Sequence, residues 1–128
     1  MATYRDDETY AVLGAAMEVH RVLGQGFAEP VYHEALTLEF EARGIAFHRE
    51  LPLTIEYKGE ALAAAYDADF LCFDNVLVEL AALDTLTDRD HARVLACLKA
   101  CGIDKALLIN FGQTSLQYRR ITRPDATS

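Results

Sequence analysis

The chain has 128 residues, 52% apolar and 25% charged, enough to bury one core and to build a single domain over 1–128. No apolar run approaches the roughly 20 residues of a membrane span and no charged-then-apolar leader points to secretion, so a cytoplasmic protein without a membrane partner is expected. A net charge of −8 disfavours broad binding along a phosphate backbone and leaves room only for a weak or local contact with nucleic acid.

From about Asp6 to Leu23, apolar residues at helical spacing (Tyr10, Leu13 and Met17, with Val12, Val19 and Val22) predict a helix, which Gly24-Gln25-Gly26 breaks. A second helix is expected to open at Glu29-Pro30, because proline suits the first turn and an acid suits the positive end of the helix dipole. Its predicted apolar face is Val31, Ala35, Leu38 and Ala42, and Gly44 is its natural stop. Between Ile45 and Phe73 the pattern becomes strand-like. Leu53–Tyr57, a Lys58-Gly59 turn and Ala61–Phe73 read as a hairpin with a long second arm. Asp74-Asn75 marks the next turn, and Val76–Leu80 reads as a short central strand. Thr87 with Asp90 three residues later has the form of a capping box for a helix ending near Gly102. Ala106–Phe111 and Leu116–Ile121 complete the order α, α, β, β, β, α, β, β. This is an α/β fold, a mixed central sheet with flanking helices, whose last strand offers a free edge for pairing with a second copy.

Three cysteines, Cys72, Cys97 and Cys101, are an odd set with two at helical i, i+4 spacing, so reduced thiols are expected. His20, His33, His48 and His91 form no zinc-ligand spacing with them. Arginines cluster at Arg119, Arg120 and Arg123, and Arg43, His48 and Arg49 lie near one turn; solvated charges are the simpler reading of both groups. Three acids stand out. Glu29 opens a helix, Asp69 lies in the long strand, and Glu79 interrupts Val76-Leu-Val-Glu-Leu-Ala81, where an unpaired carboxylate is costly. Convergent acids are the usual means of holding a hard divalent cation.

The segment Gly26-x-x-Glu29-x-x-Tyr32 resembles the signature of the GxxExxY family, a bacterial branch of the PD-(D/E)XK nuclease superfamily. The likeness runs through Glu18-Val-His20-Arg-x-Leu-Gly24, Tyr57-Lys58-Gly59, Ala68-Asp69-Phe70, Val78-Glu79-Leu80, Leu98-Lys99-Ala100 and Leu107-Leu-Ile-Asn-Phe-Gly112, covering about Asp7 to Ile121. The resemblance implies a nuclease-like fold in which Asp69 and Glu79 lie on adjacent central strands and Glu29 completes a site for Mg²⁺ or Mn²⁺. For the two strand acids to share a face, a three-residue loop or a bulge is expected near Asp74; a two-residue turn would send them to opposite faces.

The chain departs from that family in one neighbourhood. Where its members usually read Val-Glu-Leu-Lys-Ala, this sequence has Val78-Glu79-Leu80-Ala81-Ala82. On the next helix, Asp90, Arg93 and Cys97 stand where a histidine, a glutamine and a tyrosine are usual, and this spacing puts them on one helix face. Two expectations follow: an inactive or very weak pseudonuclease with a binding or assembly role, or a metal-dependent nuclease in which Arg93 substitutes for the missing lysine. The sequence reads the same whether Ala81 is natural or introduced.

Overall fold

In the computed structural model, which describes residues 6–124, Asp6 caps α1 (Asp7–Leu23), its Oδ1 accepting the Glu8 and Thr9 N–H groups at 3.0 and 3.3 Å. After α2 (Glu29–Ala42), β1 (Phe47–Tyr57) and β2 (Glu60–Cys72) form a long hairpin, followed by β3 (Val76–Ala81), α3 (Asp88–Cys101), β4 (Lys105–Asn110) and β5 (Gln117–Thr122). The element order matches the sequence expectation. The strands lie in numerical order in one sheet, antiparallel except for β3 and β4, which run parallel through the α3 crossover. All six β3 residues are buried, which is why this strand is an apolar run rather than an alternation. β1 and β5 form the two edges.

One face of the sheet packs against α1 and α2 through residues such as Val12, Ala16, Leu36, Phe40, Phe70, Val78 and Ile109. The other packs against α3 through Leu77, Val94, Leu98 and Leu108. The capping box predicted at Thr87 and Asp90 is present, and Gly102 ends α3 in a left-handed conformation. No described helix is long and apolar enough to cross a membrane.

Two predicted helix faces need correction. On α1, Tyr10, Met17 and Val22 are exposed, and the buried face is Val12, Leu13, Ala15, Ala16 and Val19. Ala15 and Ala16 are fully buried, although alanines carry little weight in an apolar pattern. On α2, Val31 and Leu38 are exposed, and the core side is Tyr32, His33, Leu36, Thr37 and Phe40. Two polar residues on the buried side hide the stripe. Thr37 satisfies its hydroxyl by donating to the His33 carbonyl at 2.9 Å.

The β1–β2 hairpin changes faces halfway along. Phe47 packs into the α1–α2 side whereas Leu53 packs into the α3 side; on β2, Phe70 and Cys72 join the first and Tyr66 and Ala68 the second. Residues an even number apart on a regular strand share a face, so the ribbon must twist between them. The twist lies between the pairs Arg49↔Phe70 and Leu51↔Ala68, where Glu50 has a left-handed φ of 53°. Asp69 sits at that point.

Candidate active site

The turn before α2 explains the Gly26-x-x-Glu29-x-x-Tyr32 spacing. Buried Tyr32 stacks on Phe111 with ring centroids 4.7 Å apart, and its hydroxyl donates to the Gly24 carbonyl at 2.7 Å while accepting the Phe27 N–H at 3.2 Å. Gly26, at φ 115°, supplies a backbone conformation that other residues resist. The pinned turn delivers Glu29 to the first position of α2, with its backbone fixed and its side chain half-buried.

Asp69 and Glu79 meet as the loop argument required. Cys72 pairs with Val76, Leu71 with Leu77 and Phe70 with Val78, leaving the three-residue loop Phe73-Asp74-Asn75, in which Phe73 and Asp74 are left-handed. This register sets Asp69 opposite Glu79. There the backbone ladder stops and the carboxylates take over: the Asp69 N–H donates to Glu79 Oε2 at 3.0 Å, and the Leu80 N–H donates to Asp69 Oδ2 at 2.8 Å. Each acid replaces a carbonyl of the opposing strand. Tyr66 adds a third bond, its hydroxyl donating to Glu79 Oε1 at 2.9 Å. Sequence reasoning missed Tyr66, because nothing local marks a strand tyrosine as the partner of an acid 13 residues away.

Glu29 borders two depressions. One is a recess of about 220 Å³ that it shares with His33, Arg49, Glu50 and Asp69. The other is a broader cleft of about 520 Å³ that it shares with Ala81, Asp90 and Arg93. Glu79 lines neither and is 4% exposed. Among the described residues no three His, Cys, Asp or Glu side chains close into a metal-ligand cluster. Likewise, no ion pair joins exposed Arg93 to the three acids. Its charge nevertheless reaches Asp69 and Glu79 and favours their ionised forms.

Burial dominates the electrostatics, and neighbouring charges add to it. Burial pushes the Glu79 carboxyl up to about 7, with the Asp69 charge adding to the effect and the Asp69 N–H and Tyr66 hydroxyl bonds opposing it. Burial also raises Asp69, against the Leu80 N–H bond. Glu29 is raised by burial and then by Asp69. A folded-state value above the ordinary 4.5 means that the native protein binds a proton more tightly than the unfolded chain does. The stability that Glu79 contributes is therefore complete below pH 4.5 and declines as the pH rises through about 7. Glu79→Gln keeps an acceptor for the Asp69 N–H and a donor for the Tyr66 oxygen. Its stability relative to the parent should rise between pH 5 and pH 8 by up to on the order of 3 kcal/mol. Urea unfolding at the two pH values checks this, and a gap that does not widen would mean Glu79 is ionised throughout.

The remaining sequence candidates are structural. Arg119 faces Asp88 at 3.7 Å, Arg123 pairs with Asp104 at 2.6 Å, and Arg120 donates to Thr9 Oγ1 at 3.0 Å, so the C-terminal arginines answer local partners. Arg43 pairs with Glu39 at 2.7 Å and His48 with Asp74 at 2.9 Å. The cysteines are free, with Cys97 Sγ 3.8 Å from Cys101 Sγ. At the end of β4, fully buried Asn110 accepts from the Leu83 and Gly112 N–H groups and donates to the Leu83 carbonyl and Gln117, fastening the segment that follows Ala81.

The site therefore consists of an acid at the start of α2 and an interlocked acid pair on β2 and β3 of a mixed sheet. A family model described as the PD-(D/E)XK nuclease superfamily matches residues 6–121, and the chain belongs to that superfamily. Among solved structures, SSO0001 is similar with a TM-score of 0.59 and 14% identity, over 75% of this chain and 50% of that one. The chain thus spans about half the length of that relative, and the likeness concerns fold alone. An alkaline exonuclease, LHK-Exo from Laribacter hongkongensis, aligns over 98% of this chain and 74% of its own at 16% identity and a TM-score of 0.46. The same enzyme in complex with dAMP aligns over 95% and 84% at 15% identity and 0.48. No curated protein sequence matches.

Proposed function

We propose that this chain is a nuclease-fold binding domain of the GxxExxY type that retains an acidic divalent-cation site and hydrolyses phosphodiesters very weakly or not at all. The observation that carries this reading is Ala81. It lies two residues beyond Glu79 on the α3 side of β3, buried, so a methyl group stands where the family's lysine would point. Removing one preorganised charge from such a site typically costs on the order of 100-fold or more in rate.

The donor chemistry fits Mg²⁺ or Mn²⁺. Glu29, Asp69 and Glu79 offer hard oxygens, and burial raises all three, helped at Glu29 and Glu79 by the Asp69 charge and at Asp69 by Glu50, a strain that a cation relieves. A bound cation of this kind supplies Lewis acidity and a water acidified enough to attack phosphorus. The protein's own part is to hold Asp69 and Glu79 at fixed separation through the crossed N–H bonds and to present Glu29 from the pinned turn. At a metal concentration ten times its Kd, binding to the folded state adds about 1.4 kcal/mol. Millimolar Mn²⁺ should accordingly raise Tm by roughly 5 °C. Asp69→Asn should lose that increment. An unchanged Tm in both proteins would remove the cation site.

A second reading is favoured by Arg93, which borders the same cleft as Ala81 and acts electrostatically on both strand acids. In that case the protein is a Mg²⁺- or Mn²⁺-dependent nuclease in which Arg93 holds phosphate. Arginine stays protonated at neutral pH, so its contribution would be positioning rather than proton transfer. Incubation of single- and double-stranded DNA and RNA with each metal separates the readings: cleavage abolished by Arg93→Gln supports the second, and no cleavage supports the first.

A further inference from the structure

We propose that Arg49 and His33 form a positioning pair for Asp69, in which His33 Nε2–H is the donor that sets the orientation of Asp69 Oδ1. This deepens the cation-site reading, on which its metal-binding consequence rests.

His33 occupies the buried face of α2 with its side chain 8% exposed, and its ring stacks on Phe70, the residue after Asp69, at 4.5 Å between centroids. Arg49 reaches it because Arg49 pairs with Phe70 across the hairpin, immediately before the left-handed Glu50 turns the strand. The Arg49 Nε donates to His33 Nδ1 at 3.1 Å. A guanidinium nitrogen only donates, so Nδ1 is the accepting nitrogen and the ring hydrogen lies on Nε2. That Nε2 is buried, has no hydrogen-bond partner among the described residues, and stands 3.7 Å from Asp69 Oδ1.

A buried donor left without a partner is destabilising. The arrangement nevertheless spends an arginine on fixing the ring so that this donor faces the acid. Asp69 is therefore held on Oδ2 by the Leu80 N–H of β3 and confronted on Oδ1 by the imidazole of α2. A side-chain shift of under about 1 Å would bring Nε2 and Oδ1 into hydrogen-bonding range. Donors of this kind orient ligating carboxylates, and their loss typically weakens metal binding by about 10- to 100-fold.

The test uses the full chain and two readouts. Long-range ¹H–¹⁵N correlation spectra without metal should show His33 as the Nε2–H tautomer. Arg49→Met should shift that tautomer balance, and Asp69→Asn should move the Nε2 resonance. Titration with Mn²⁺ should show affinity lower by on the order of 10-fold or more in His33→Phe, which keeps the stacking on Phe70, with partial recovery in His33→Gln, which keeps a donor. An Nδ1–H tautomer in the parent, or Mn²⁺ affinity equal in parent and His33→Phe, overturns the proposal. If the parent binds no Mn²⁺, the cation-site reading fails; the tautomer and its response to Asp69→Asn then decide the positioning role by themselves. If His33→Phe does not fold, Arg49→Met carries the affinity comparison.

Discussion

Lysine in place of Ala81 is expected to raise Mn²⁺-dependent phosphodiester hydrolysis by on the order of 100-fold or more. Position 81 shares the α3-facing side of β3 with Glu79, and the adjoining cleft of about 520 Å³ has room for a four-carbon stem. The neighbouring acids favour the protonated ammonium. Arg93 borders the same cleft, so two cations would compete for one space. Ala81→Lys with Arg93→Gln is the fairer trial, and adding Glu79→Ala should abolish whatever activity appears. Release of labelled oligonucleotide, measured beside Mn²⁺ affinity, gives the answer. A double variant that folds, binds Mn²⁺ and cleaves nothing would place the defect beyond position 81 and leave the binding role standing.

The second large effect lies behind the site. An alanine at Gly112 would drive its Cβ into the Leu83 carbonyl oxygen and to within 2.5 Å of the Leu83 nitrogen and 2.8 Å of the Ala82 carbonyl carbon. All three are backbone atoms, and Asn110 ties the two chain segments together, so neither can yield easily. A loss on the order of 3 kcal/mol is expected, a fall of about 10 °C in Tm. Because the displaced segment begins one residue after Ala81, Mn²⁺ binding should weaken as well. Thermal unfolding with and without Mn²⁺ measures both, and a variant as stable as the parent would show that the loop can move apart.

Much of this is legible in the sequence alone. Local chemistry marks the helix starts at Asp6, Glu29 and Thr87, the turn at Lys58-Gly59 and the buried run of β3. The three-residue loop at Phe73–Asn75 followed from a longer inference, that two acids sharing a function must share a face. What escaped depends on contacts between distant segments. The buried faces of α1 and α2 were misread because alanines, His33 and Thr37 occupy positions that an apolar count leaves empty. Tyr66, Arg49 and His33 carry no local signal, since their partners lie on other elements. The half-turn of the hairpin at Glu50 and Asp69 is likewise invisible to a strand pattern, which assumes that alternation never slips.

The crossed bonds between β2 and β3 have a bearing on how such a site can age. Asp69 and Glu79 stitch the centre of the sheet where carbonyls would otherwise do so, and a change at either to a side chain without an acceptor leaves a part-buried N–H unpaired, at a cost of about 1–3 kcal/mol. Position 81 makes no such stitch with its side chain; an alanine there leaves the sheet intact. The parts of the centre are therefore not equally easy to lose. A chain with no need to cut can carry alanine at position 81 without disturbing the sheet, whereas positions 69 and 79 must each keep a side chain that accepts a hydrogen bond. The acceptors at 69 and 79 thus answer to the architecture of the sheet as well as to any cation they hold, and position 81 is free of that constraint.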